Sequence, residues 1–244
     1  MDTVLAAISG TWTWWTTLVA AEQTPPWWVI AIAVIAGGLL ATNPAYRYTR
    51  HLVTYVHEAG HAVVGMLTGR KLAGIRLHTD SSGVTTTVGT PGFGAVLTAA
   101  AGYPAPAITA GLLIAAALSG YAVIAVTIAA ILTAVLLLFT RNLWGLVITV
   151  TVLAAFLAAL RWLPVNLVPV LAAVAAGLLA VGSLRDLIAE RRARRTQPTD
   201  IISVSESTHL PAALVWGALT VAAVAGIATP MALMAYQTAG RLPG

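Results

Sequence analysis

The sequence predicts an all-α polytopic membrane protein, a bundle of about six to seven membrane helices with a short surface β-hairpin. Three observations predict it. Hydrophobic residues make up 59% of the 244-residue chain and charged residues only 9%, with a mean hydropathy of +0.87; a soluble domain of this size carries far more charge. Six apolar stretches, 27–42, 93–117, 119–139, 143–160, 164–184 and 210–234, approach the roughly 20 residues that a helix needs to cross a bilayer. Their Ala, Leu and Val, with scattered Gly and Pro, suit packed helices, whereas barrel strands would alternate polar and apolar residues. There is no cysteine, which excludes disulfides, thiolate ligands and thiol nucleophiles. The formal charge of +5 does not point to nucleic acid, because the basic residues lie in short loops beside apolar segments. The expected partner is the lipid bilayer.

Taken in order, residues 1–26 hold Trp12, Trp14 and Trp15, then the break at Pro25 and Pro26, with Trp27 and Trp28 after it. The segment has no Lys or Arg, so it reads as an aromatic belt on the side away from the cytoplasm. No basic region precedes its first apolar residues, and a cleaved signal peptide is not expected. The first span is 27–42, and NPAYRYTRH (43–51), with Arg47 and Arg50, reads as a cytoplasmic loop. A helix over 52–69 carries HEAGH and stops at Gly69, before Arg70 and Lys71.

The character then changes. Over 72–89 Ile75 and Leu77 alternate with polar neighbours, Ser81, Ser82 and Gly83 offer a turn, and 84–88 is rich in β-branched residues; this is the hairpin. The helical bundle follows over 93–184, punctuated by GYPAPA (102–107), RN (141–142) and RWLP (161–164). A basic cytoplasmic loop over 185–199 leads to the last span, 200–234. No internal repeat is visible and no long polar segment forms a soluble appendage, so 1–244 reads as a single integral-membrane domain.

Charge places the loops. If every apolar segment including 52–68 crossed fully, the Arg-rich run near 190 would face outside, against the positive-inside rule. If 52–68 enters and returns, all thirteen Lys and Arg residues except Arg161 and Arg241 face the cytoplasm. Such a partial helix puts His57 and Glu58 near the cytoplasmic face, within reach of water. Splitting or merging another span would restore the parity equally well.

His57, Glu58 and His61 form HExxH inside an apolar run. On a helix, residues four apart project from one face, so the two imidazoles suit one zinc ion, with Glu58 beside its open position as general base. Zinc lowers the pKa of its water to about 7 and polarises a carbonyl. The small Ala59 and Gly60 suggest room for a peptide backbone. Ionisable groups within membrane segments are functional candidates by default; the plainer reading is that they pair with other helices to fix packing.

A third protein ligand must come from elsewhere. Of the other acids, Asp2 and Glu22 fall on the outer side, and Asp80 in the hairpin turn. Asp186 and Glu190 have Arg185, Arg191 and Arg192 as neighbours and suit salt bridges. Asp200 begins the last span at the depth of a shallow His57–His61 pair and is the best choice, with Asp186 the alternative. His51 and His78 are spare candidates without helical spacing to the pair. Asn142 suits either an oxyanion donor or helix capping; GYPAPA suits either close approach to the metal helix or a kinked start to a helix. Asn166 to 169 reads as a loop or kink. The run at 191–195 serves as a positive-inside anchor or a site for anionic lipid.

HEAGH in an apolar helix resembles the site-2 protease class of intramembrane zinc peptidases, the M50 group, and more narrowly its M50B-like branch, common in actinobacteria. The pieces that carry the resemblance are VHEAGHAVVGMLTGRK, the hairpin with SSGV, AAAGYPAPAITAGLL, RNLWG and TDIISVSESTHLPAALVW, in order over about residues 50–220. In the last, Thr199 and Ile201 stand where the branch usually has Ser and Ala around the aspartate, and no Asn-Pro-Asp-Gly or Leu-Asp-Gly form is present. The resemblance implies His57, His61 and Asp200 as zinc ligands and Glu58 as base, in a bacterial cell membrane with the active site near the cytoplasmic face. The expected function is a zinc-dependent endopeptidase acting on membrane-embedded or membrane-edge segments of partner proteins, single-span ones in particular. Its substrate would be held extended against the hairpin. The alternative is a non-catalytic scaffold or chaperone of the same fold that keeps the metal site; a small transporter is a third reading, against which stands the lack of inverted repeats. Neither the substrate-binding residues nor the oligomeric state is legible.

Overall fold

The computed structural model describes residues 2–42, 44–192 and 199–239, which form ten α-helices and one two-stranded sheet. The segment expected only as an aromatic belt is helical, α1 (Asp2–Ala21), and Trp15 Nε1 donates to Thr127 Oγ1 across to a later helix. Trp12, Trp27 and Trp28 stay exposed, as interfacial anchors do. After Pro25 and Pro26 comes α2 (Trp27–Leu40). The motif helix α3 (Tyr46–Leu67) starts earlier than expected and absorbs most of the presumed loop 43–51. Its buried residues Thr54, Tyr55, Glu58, His61, Ala62 and Gly65 recur at helical spacing, so the motif lies on the face turned inward. Gly69, at φ +76°, takes the left-handed turn that ends it.

The membrane character of the bundle is plain. Leu143–Trp162, Val165–Arg191 and Ala212–Thr229 are long and apolar enough to cross a bilayer, and Phe93–Ala100 with Pro104–Ser119 qualify together although bent by 66°. Trp27–Leu40 and Ala122–Leu137 are apolar but shorter. These correspond to the six apolar stretches of the sequence. By length and composition α3 is not among the helices that would cross alone.

Three boundaries differ from expectation. The stretch 93–117 is two helices, α4 (Phe93–Ala100) and α5 (Pro104–Ser119), because prolines at 104 and 106 suit a first turn but not a helix interior. After α6 (Ala122–Leu137), α7 (Leu143–Trp162) and a 3-10 turn at Val165–Leu167, helix α8 (Val168–Arg192) runs well into the expected basic loop. The last stretch is also split, into α9 (Asp200–Thr208) and α10 (Ala212–Ala239), at His209 with φ +58° and at Pro211. Arg194 and Arg195 of the basic run, and Arg241, lie outside the described residues, so the lipid-anchor reading of 191–195 rests there on sequence alone.

Helix α8 is the spine, packed against α2, α5 and α10. It meets α2 with almost no side chain between: a Cβ on Gly37 would strike the carbonyl of Val174, and one on Gly177 that of Val34, with Gly38 N at 2.8 Å. Close backbone approach at small residues is how helices associate where lipid removes the hydrophobic drive. Backbone atoms cannot rotate aside, so Gly177→Ala should destabilise the fold by about 1–3 kcal/mol. Thermal unfolding in detergent checks this, and an unchanged melting temperature would contradict it.

The hairpin comprises β1 (Lys71–Leu77) and β2 (Gly83–Val88), antiparallel, with Ile75 opposite Thr85 and an irregularity between Leu72 and Gly74. Its tip turns at Ser81, φ +65°, where Asp80 Oδ1 accepts from Ser82 Oγ at 2.7 Å and from Ser82 N at 2.9 Å. Those hydrogen bonds from Ser82 hold the Asp80 carboxyl below its ordinary value. Thr54 Oγ1 donates to Ser81 O (2.8 Å), pinning the tip to α3. β1 is built into the bundle: Ile75 N–H donates to Phe139 O, and Arg141 N–H to Ile75 O, each at 2.9 Å. Asn142 completes this seam, donating from Nδ2 to Leu77 O (2.6 Å) while its Oδ1 accepts from Leu77 N (3.2 Å). Its side chain neither caps α7 nor borders the cavity described next, so both sequence readings of Asn142 give way to a strand-edge role.

Candidate metal centre

One turn of α3 separates His57 from His61, and helical geometry turns both rings to the same side. Their Nε2 atoms are 3.1 Å apart. Asp200 Oδ2 lies 3.0 Å from His57 Nε2 and 3.1 Å from His61 Nε2. The carboxylate arrives from the first residue of α9, whose N-cap Thr199 accepts from Ile202 N through its hydroxyl. Ile201 and Val204, buried with Leu187, Val215 and Ala107, anchor that short helix to α5, α8 and α10.

The chemistry of the three atoms is informative. His61 Nδ1 lies 2.7 Å from Thr98 O. A carbonyl only accepts, so Nδ1 carries the proton and a neutral His61 turns a lone pair toward the centre from Nε2. His61 Nε2 and the Asp200 carboxylate oxygen are thus two acceptors facing one another at 3.1 Å, and a cation shared with His57 Nε2 would satisfy both. Zinc at about 2.0–2.1 Å from each donor in a tetrahedral arrangement needs donor separations of about 3.3 Å, close to those observed. The residues fit such an ion.

Space is kept in front of them. Gly102, in the break between α4 and α5, stands so close that a Cβ there would run into both Nε2 atoms and lie 2.6 Å from His57 Cε1. Gly60 serves the same approach, its α-carbon facing Ala101 O and the Ala105 side chain, so it receives the α4–α5 break rather than a substrate backbone. Both readings of GYPAPA therefore apply: it starts a kinked helix and it brings backbone against the motif. Tyr103 sets its ring edge-on to His57, centroids 4.9 Å apart.

Glu58 is only 4% exposed. Its carboxylate is not part of the His57, His61 and Asp200 cluster. It lies under β2, where Thr85 Oγ1 donates to Oε2 at 2.7 Å and a Cβ on Gly83 would be 2.6 Å from Oε1. Glu58 and the three clustered residues all border one cavity of about 850 Å³. Its other walls include Gly83, Val84, Thr85 and Thr87 of β2, Tyr103, and Arg50 and Arg70.

The remaining candidates fall elsewhere. Asp186 borders the same cavity but faces Arg50 Nε (3.3 Å) and accepts from Tyr46 OH (3.0 Å), outside the cluster. His51 Nε2, from α3, meets Ser81 Oγ, and His78 Nδ1 meets Ser82 Oγ, each at 3.3 Å, so both histidines are engaged at the hairpin tip. Glu22 caps α6, accepting from the N–H groups of Ala122 and Val123. Residues 166–169 form the 3-10 turn and the start of α8. Thr98, Tyr103, Gly102 and Thr85 escaped the sequence reading as individuals. Thr98 acts through its backbone, and the β-branched run that signals a strand hides which of its threonines meets Glu58.

A family model described as Peptidase M50B-like matches residues 29–230. No curated protein and no solved structure matches the chain.

Proposed function

The chain belongs to the Peptidase M50B-like family, and from that premise we propose that it is a zinc-dependent endopeptidase of the bacterial cell membrane, cleaving membrane-embedded or membrane-edge segments of partner proteins. One observation carries the reading: His57 Nε2, His61 Nε2 and Asp200 Oδ2 converge within 3.1 Å on a cavity that Glu58 also borders. When bound, zinc supplies Lewis acidity toward a carbonyl oxygen and lowers the pKa of a coordinated water. His57, His61 and Asp200 would hold it, and the Thr98 carbonyl keeps His61 in the tautomer that can.

Glu58 takes a proton from the attacking water and passes it to the leaving amine. A helix hides its carbonyls, so the scissile segment must be extended first. With the β1 edge occupied by Phe139, Arg141 and Asn142, a substrate strand adds along β2, whose residues border the cavity. Arg50 and Arg70 border it too, which by the positive-inside rule favours a site near the cytoplasmic face.

The test compares membrane-protein fragments by mass spectrometry from cells expressing wild type or Glu58→Gln. The variant should retain zinc and lose about 10²–10⁴-fold in cleavage rate. Equal fragment yields from both would leave a scaffold that merely binds metal.

A further inference from the structure

We propose that Thr85 is the positioning residue for Glu58, its hydroxyl fixing one carboxylate oxygen and with it the side-chain torsions of the general base at the edge of the cavity; this rests on the proteolytic reading above. Glutamate has three side-chain torsions, and a buried general base needs them held. Among the described contacts of Glu58, the short one is from Thr85 Oγ1 to Oε2 at 2.7 Å, a well-formed hydroxyl hydrogen bond. The same hydroxyl lies 3.1 Å from the Glu58 backbone carbonyl; with one proton to give, it favours the shorter contact to Oε2 while sitting against the helix backbone. Two residues along the strand, and hence on the same face, Gly83 passes against Cγ and Oε1, with no room for a Cβ. β2 thus touches both oxygens, one by a hydrogen bond and one by close backbone approach.

The grip is rigid for a reason lying outside the site. Thr85 stands opposite Ile75 in the hairpin, and Ile75 is bonded through both N–H and C=O to Phe139 and Arg141. The position of the hydroxyl is therefore set by a sheet whose far border is fastened to the segment between α6 and α7. The Glu58 carboxylate is referenced to that frame and not to its own helix alone.

Thr85→Val keeps the branched shape and removes the donor, whereas Thr85→Ser keeps the donor. With a purified substrate segment in detergent, Thr85→Val should lower kcat about 10–100-fold and leave KM within about twofold and zinc content unchanged; Thr85→Ser should retain kcat to within about threefold. A wild-type kcat for Thr85→Val overturns the proposal. So does a raised KM at unchanged kcat, which would make Thr85 a docking residue, or equal impairment of the Ser and Val variants, which would make it a packing residue. If Thr85→Val does not accumulate, Thr85→Ala is judged by the same split. Glu58→Gln run alongside separates the two failures: activity surviving there defeats the protease assignment, whereas an inactive Glu58→Gln beside an unimpaired Thr85→Val defeats only the role given to Thr85.

Discussion

Gly102→Ala should remove both metal and cleavage in one step. The added methyl would lie 2.6 Å from His57 Cε1 and nearer still to both Nε2 atoms, inside the space an ion between them needs. The obstacle is not a flexible side chain, since both rings are held: His61 by Thr98 O and His57 against Tyr103. Either the rings rotate and the triad opens, or the methyl stays and the ion has no place. Zinc measured in the purified protein should fall to background and cleavage should become undetectable. The substitution falls in the turn between α4 and α5, outside either helix, so helical content should persist. Full zinc loading in Gly102→Ala would show that the ion, if bound, sits elsewhere.

The second large effect separates two aspartates on one cavity. Asp200→Ala leaves two imidazoles where catalytic zinc sites use three protein ligands, and zinc and activity should both be lost. Asp186→Ala should keep the metal. Its carboxylate is engaged by Tyr46 and Arg50, and removing it strands them, at a cost of about 1–3 kcal/mol in stability. Metal analysis of the two variants side by side decides the matter; zinc lost in the Asp186 variant and kept in the Asp200 variant would reverse the assignment.

What the residues disclosed beforehand was mostly periodic or local. The apolar stretches, the stop at Gly69 and the hairpin are short-range patterns, and so is the pairing of His57 with His61. Asp200 is 139 residues beyond His61, and only its depth and the resemblance around TDIISV pointed to it. Backbone partners leave no trace in side-chain identity, which is why Thr98 was invisible. Proline and glycine at 102–106 signalled a break, though not its 66° bend. The basic run misled because charge was read as loop. Beyond the apolar stretch α8 instead pairs its charges with neighbouring helices, Asp186 with Arg50 and Arg185 over the Tyr46 ring, both on α3, and Arg191 over Trp216 of α10. Asn142 misled for a different reason: an amide carries the donor and acceptor of a peptide group, and here it stands in for one.

That substitution of amide for backbone has an outcome for selectivity. A ribbon of two strands with both flanks bare would recruit any unravelled chain, copies of itself included. One flank is sealed by Phe139, Arg141 and Asn142, and on the other Arg70 covers Thr87, so the stretch left for the proposed strand docking is short and centred on Gly83 and Thr85, beside Glu58. On the proposed function, discrimination among client helices would turn on which of them can fray beside that stretch, a property written in the clients' own helix-breaking residues.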